Sequence, residues 1–234
     1  MIFRQLFDQE SATYTYLLAC QRTNDAIIID PVINKIPLYL RLINELNLNL
    51  KYAIDTHMHA DHITAIGELA NSANCIAMMG EQAKVQGLGQ TFKDNEVLKC
   101  GDLRLKAIYT PGHTKDSYCF HIENYLFTGD TLFIRGTGRT DFQEGNARDQ
   151  YQSIFNKLLC LPESTYIYPG HDYNGMTVST IGEEKKYNPR LKVRSADEYS
   201  TLMDSLDLAP PKLIDKAIPA NRLCGIRDLR NTND

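Results

Sequence analysis

Apolar residues recur along this chain in short runs separated by turn-forming residues. Residues 1–7 form the first run and predict a strand. The runs 13–20 and 26–30 are β-rich and are separated by the polar Gln21-Arg22-Thr23-Asn24-Asp25, which predicts a hairpin. Behind Pro37, a residue suited to a first helical turn, Ile36, Tyr39, Leu40, Ile43 and Leu46 keep helical spacing. A buried strand is expected over 52–56, a helix over 61–72 and another strand over 75–79. Residues 80–96 are polar and contain glycine, so they read as loop with some helix. Three further strands follow at 103–109, 118–122 and 125–128.

The run 134–145 is rich in glycine and charge and reads as irregular. Ala147, Tyr151, Ile154, Phe155, Leu158 and Leu159 then mark an amphipathic helix. A strand is expected at 165–168, and two helices between about 178 and 206, broken at Asn188-Pro189. The tail from Pro210 onward, punctuated by Pro210-Pro211, reads as irregular. Strands dominate both halves and helices flank them. This predicts an α+β fold: two mixed sheets packed together, with helices outside. One domain is expected over 1–234, with a helical or irregular C-terminal extension from about 178.

Composition narrows the partners. Hydrophobic residues make up 43% of the chain, ample for a packed core. A net charge of −4 and the lack of a long basic run argue against nucleic-acid binding. No signal or transit segment is read at the start, and no apolar run approaches the ~20 residues that span a bilayer. The six cysteines, at 20, 75, 100, 119, 160 and 224, form no Cys-x-x-Cys pair. Several lie in apolar strands, where the thiol behaves as a small hydrophobe. Reduced thiols in a cytoplasmic protein are expected.

The candidate chemistry sits between the strand at 52–56 and the helix after it. There His57-Met58-His59-Ala60-Asp61-His62 packs half of the six histidines around a carboxylate. On a strand-to-helix turn, side chains can converge instead of alternating across a sheet. Imidazole and carboxylate together are ligands for zinc and non-haem iron. Three later segments share one form, an apolar strand ending in a loop with a ligand-type residue: Thr110-Pro111-Gly112-His113, Thr128-Gly129-Asp130 and Pro169-Gly170-His171-Asp172. His121 lies in mid-strand and is assigned no role.

This constellation resembles the metallo-β-lactamase superfamily, whose αβ/βα sandwich carries its metal at one edge of the two sheets. Further motifs resemble one group within it, the persulfide dioxygenases (ETHE1-like). These are the run 133–145, Tyr168-Pro169-Gly170-His171-Asp172-Tyr173 followed by Thr177-Val178-Ser179-Thr180, Asn188-Pro189-Arg190, and the tail Ile218-Pro219-Ala220-Asn221-Arg222-Leu223-Cys224-Gly225. With them the resemblance runs nearly end to end. Two positions depart from it: Thr137 stands where the animal-type members often have Cys, and Asn174 where His is common.

The resemblance implies an enzyme that oxidises glutathione persulfide with O₂ and water to sulfite and glutathione, a sulfide-detoxifying reaction. It implies one Fe(II) per chain on His57, His113 and Asp130; zinc and manganese also suit these ligand types. His59, Asp61, His62 and His171 would then orient ligands and water. Arg139 and Asp141 are expected to pair and brace the loop beside the iron. Tyr173 and Arg190 are the candidates for binding substrate, whose carboxylates call for hydroxyl and cationic partners. Cys224 is expected to be a core or surface thiol. A homodimer fits the same pattern.

Two other readings share these residues. In a glyoxalase II-type hydroxyacylglutathione hydrolase, two metals would sit on His57, His59 and His113 and on Asp61, His62 and His171, with Asp130 bridging. The Arg139-Thr140-Asp141-Phe142 loop and the limited C-terminal region count against it. A non-catalytic, metal-binding sulfur sensor is the third reading, disfavoured because buried ligands without a partner cost stability.

Overall fold

The computed structural model describes residues 1–226. The first sheet takes its strands in chain order: β1 (Ile2–Asp8), β2 (Thr13–Ala19), β3 (Asp25–Ile29), β4 (Asn49–Ile54), β5 (Ile76–Gly80) and β6 (Gln90–Phe92). β1, β2 and β3 pair antiparallel, and β3 to β6 pair parallel. The second sheet contains β7 (Val97–Cys100), β8 (Leu103–Tyr109), β9 (Tyr118–Ile122), β10 (Tyr125–Gly129), β11 (Tyr166–Pro169) and β12 (Ser179–Thr180), again neighbour to neighbour. Only β10 and β11 pair parallel there. Two mixed sheets are thus present as the apolar pattern predicts.

Burial on both faces explains why β2 reads Thr-Tyr-Thr-Tyr-Leu-Leu-Ala without a polar face. Tyr14, Tyr16 and Leu18 enter the core between the sheets, with Ile27, Ile29, Ile54, Phe120 and Phe127. Leu17 and Ala19 point the other way, into a second core against α1 (Ile36–Glu45) and α2 (Ile66–Ala73). A third core covers the outer face of the second sheet. Cys119, Leu126 and Ile167 pack there against α3 (Ala147–Ser153) and its π-helical continuation Ile154–Leu158. α4 (Ile181–Tyr187) and α5 (Ala196–Asp204) contribute Ile181, Tyr199 and Met203 to the same core.

The structure departs from the sequence reading in several places. The helix expected from 61 starts at Ile66, because Thr64 is held in an isolated bridge to Val32. The polar stretch 80–96 holds the short strand β6 and no helix, and β7 follows at once. The tail is not wholly irregular: α6 (Ile214–Asn221) forms there with Pro219 inside it. Among the described residues, no helix is long and apolar enough to cross a membrane.

Tyr39 shows how a buried polar group fixes a connection. Its hydroxyl is fully enclosed, accepts from the Val32 amide at 3.0 Å and lies 2.9 Å from Thr15 Oγ1. Tyr39→Phe leaves that amide without a partner and should cost about 1–3 kcal/mol. Urea unfolding should show the loss as a lower midpoint at unchanged slope.

Candidate metal centre

The ligand-type side chains emerge where strands end. His57, His59, Asp61 and His62 follow β4, His113 follows β8, Asp130 follows β10 and His171 follows β11. The first comes from one sheet and the last three from the other, so the site lies across one edge of the sandwich. One ligand atom each from His57, His113 and Asp130 falls within a 4.8 Å group, and the same holds for His59, Asp61 and His62. His171 links the two groups, its Nε2 3.5 Å from Asp61 Oδ2 and 3.6 Å from Asp130 Oδ1.

Each ring is aimed by a bond at its other nitrogen, the usual support for a metal-binding imidazole. His57 Nδ1 lies 2.9 Å from Thr56 Oγ1, His113 Nδ1 2.8 Å from the Arg139 carbonyl and His171 Nδ1 3.1 Å from the Ala12 carbonyl. These contacts leave the three Nε2 atoms facing the site. His59 is turned the other way: Nε2 meets Asp30 Oδ1 at 3.2 Å, and Nδ1 faces inward. His59 Nδ1, His62 Nε2 and Asp130 Oδ1 are buried without a protein hydrogen-bond partner. Orphaned atoms of this kind are rare in a folded protein unless they serve a ligand. This donor set of imidazole nitrogens and carboxylate oxygens fits a metal ion.

The electrostatics differ from group to group. Burial, reinforced by the neighbouring His59 and His113 charges, holds His57 well below the ordinary histidine range, so its nitrogen is free to ligate. Burial also opposes charge on His59, but Asp30 and Asp55 outweigh it and raise its pKa. For Asp61, burial favours the neutral acid, yet the charges of His62 and His171 hold it well below the usual carboxylate range.

Several supporting residues gave no sequence signal. Asp30, at φ +50°, accepts from the Thr56 amide at 2.7 Å and the Thr56 hydroxyl at 3.0 Å, besides holding His59. Asp116 accepts from the Met58 amide at 2.9 Å, and Gln143 donates to the Met58 carbonyl at 2.5 Å. These contacts lie 26 to 85 residues apart in the chain, beyond any local pattern.

Arg139 pairs with Asp141 through Nε at 2.6 Å and a second nitrogen at 2.7 Å. The same guanidinium donates to the Ala209 carbonyl at 2.6 Å, while the Arg139 carbonyl receives His113. Tyr173 is 73% exposed, and its ring lies parallel to His171 with centroids 6.0 Å apart. It borders a cleft of about 520 Å³ lined also by Phe7, Tyr14 and Asp172. Arg190 donates to the Thr137 carbonyl and, at 3.2 Å, to the Thr137 hydroxyl. Thr137 is buried and also accepts from the Tyr199 hydroxyl at 3.0 Å. The Asn174 amide donates to Asp172 Oδ2 at 2.8 Å. Cys224 is a core thiol, pushed up to about 11 by burial.

A sandwich of two mixed sheets with histidines and carboxylates converging at one edge defines a metallo-β-lactamase fold. A profile of the metallo-β-lactamase superfamily matches residues 9–89 and 77–171. The Bos taurus protein named persulfide dioxygenase ETHE1, mitochondrial, is 42% identical over 230 residues, spanning 97% of this chain and 90% of that protein. The crystal structure of ETHE1 from Myxococcus xanthus superposes with a TM-score of 0.94 at 45% identity, covering 97% of this chain and all (100%) of the other. A probable hydroxyacylglutathione hydrolase of Schizosaccharomyces pombe is 32% identical, across 77% of this chain and 82% of its own length. The chain belongs to the persulfide dioxygenase family of the metallo-β-lactamase superfamily.

Proposed function

We propose that this protein is an iron-dependent persulfide dioxygenase acting on glutathione persulfide. The observation that carries the reading is the group of His57, His113 and Asp130, found in a chain similar over nearly its full length to persulfide dioxygenases. Two histidines and one carboxylate on one face leave positions open for two further partners. The persulfide anion, O₂ and water give glutathione, sulfite and one proton. In this balance the outer sulfur is oxidised, the inner sulfur leaves as thiol, and O₂ takes up the electrons.

Bound on those residues, Fe(II) would offer open positions where the persulfide sulfur and O₂ meet, the electrons coming from the outer sulfur. The chain does the rest. Thr56 and the Arg139 carbonyl fix His57 and His113, so their Nε2 atoms stay aimed at the site. His171 Nε2, between Asp61 and Asp130, is placed to hold a proton during cleavage of the S–S bond by water. The cleft that Tyr173 lines receives the glutathione body. In this reading Arg190 acts on substrate by holding Thr137 and the loop before Arg139.

The six cysteines are unpaired. They suit a reducing compartment, and we place the enzyme in the cytoplasm as a single-domain protein, without nucleic-acid or membrane partners. A homodimer belongs to the same reading.

The test is oxygen uptake by anaerobically Fe(II)-loaded protein on addition of glutathione persulfide, with sulfite quantified in the same sample. Equal amounts of O₂ consumed and sulfite formed are expected. Hydrolysis of S-lactoylglutathione by zinc-loaded protein, with no uptake, would replace this reading with the two-metal hydrolase.

A further inference from the structure

We propose that Asn221, the last residue of α6, is a positioning residue for the metal centre. Its side chain is 2% exposed and makes three bonds to one stretch of backbone. Nδ2 donates to the His59 carbonyl and to the His62 carbonyl, both at 2.9 Å, and Oδ1 accepts from the Thr64 amide at 2.9 Å. The stretch it holds, between β4 and α2, presents His59, Asp61 and His62. That loop has no sheet ladder or helix to satisfy its carbonyls, and buried carbonyls need partners. One amide group supplies two of them and also accepts from the turn into α2.

The tail is fixed in its turn. Gly225, at φ +69°, lies so close to the loop that an added Cβ would stand 2.0 Å from the Thr64 carbonyl oxygen. The Cys224 carbonyl accepts from the Gly67 amide at 3.1 Å, and the Arg222 carbonyl from the Gln86 amide at 2.9 Å. Asn221 therefore reaches the loop from a segment anchored to α2 and to the turn after β5. It touches no ligand nitrogen. It acts by setting where the backbone of the loop lies, and so where His59 Nδ1, Asp61 and His62 Nε2 point.

The inference rests on the metal-centre reading above and not on the reaction assigned to it. Zn(II) affinity, measured by chelator competition, is the primary readout, together with melting of the metal-free and Zn(II)-loaded proteins. Asn221→Asp keeps the acceptor for Thr64 and sets a carboxylate oxygen against two carbonyls; Asn221→Ala removes all three bonds. Both should bind Zn(II) several-fold more weakly, up to about tenfold, the low end of the scale for outer partners of metal ligands. The gain in melting temperature on Zn(II) loading should shrink with it. Lower melting of the metal-free variants at unchanged affinity would mean a structural role only and overturn the inference. The parent protein gives a second reading, since coupling between two sites is reciprocal. Zn(II) loading should slow hydrogen exchange at the Thr64 amide; unchanged exchange there overturns the inference even if neither variant folds. Failure of the parent to bind any metal would instead sink the metal-centre reading.

Discussion

Asp130→Ala should give a folded protein that retains no iron and forms sulfite at least about 100-fold more slowly. Outer partners of ligands are already worth 10- to 100-fold in affinity or activity, and Asp130 supplies the only carboxylate of its ligand group. The fold should survive. Asp130 Oδ1 has no hydrogen-bond partner in the protein, and its Oδ2 lies 3.5 Å from His113 Nε2. Truncation removes a poorly paired buried carboxylate, whose own desolvation is a cost to the fold. The metal-free variant should therefore melt at or near the temperature of the metal-free parent, while the gain on adding Fe(II) disappears. Metal analysis, sulfite assay and paired melts check all three points. An active, iron-loaded variant would remove Asp130 from the ligand set.

Gly138→Ala should be a severely damaging single-methyl change at the site. An added Cβ would lie 2.0 Å from the Asp130 carbonyl oxygen and 2.9 Å from His113 Nδ1, touching the supports of two ligands at once. The glycine amide already donates to that same carbonyl at 2.9 Å. Relief requires the loop to move outward, taking with it the Arg139 carbonyl that aims His113. Overpacking of this kind costs about 1–3 kcal/mol and displaces backbone. Lower thermal stability and lost metal retention should appear together. Gly136→Ala is the control, since an added Cβ there meets only Phe133 Cβ at 3.8 Å. Equal loss in both variants would show that the loop as a whole, and not the contact with Asp130, is sensitive.

The ligand-type residues are legible in the chain because each sits where an apolar run stops, often behind glycine. Their convergence is also legible, since neighbouring strands of a sandwich end at a common edge. The outer groups are not. Asp30 reads only as the end of a strand; its carboxylate reaches Thr56 and His59 through the parallel pairing of β3 with β4. Asn221 lies in a tail whose prolines hide a helix: Pro219 removes an amide from α6, and Pro210-Pro211 reads as a stop. The three-residue β6 and four-residue β7 are too short for a periodic signal and are specified by their neighbours. α2 starts later than the apolar spacing predicts because Thr64 and Ala65 bond outside the helix, to Asn221 and Pro31.

The ligand-type residues come from both sheets, His57 from the first and His113, Asp130 and His171 from the second. A bound ion is thus a rivet through the sandwich, and it cannot be gripped until both halves have docked. Its binding free energy adds directly to resistance against unfolding, about 2.7 kcal/mol when free metal stands at 100 times its dissociation constant. The lifetime of this protein in a cell should then follow the supply of its metal. Metal-free chains are the ones that open and meet proteases, so abundance falls along with activity when the metal is scarce.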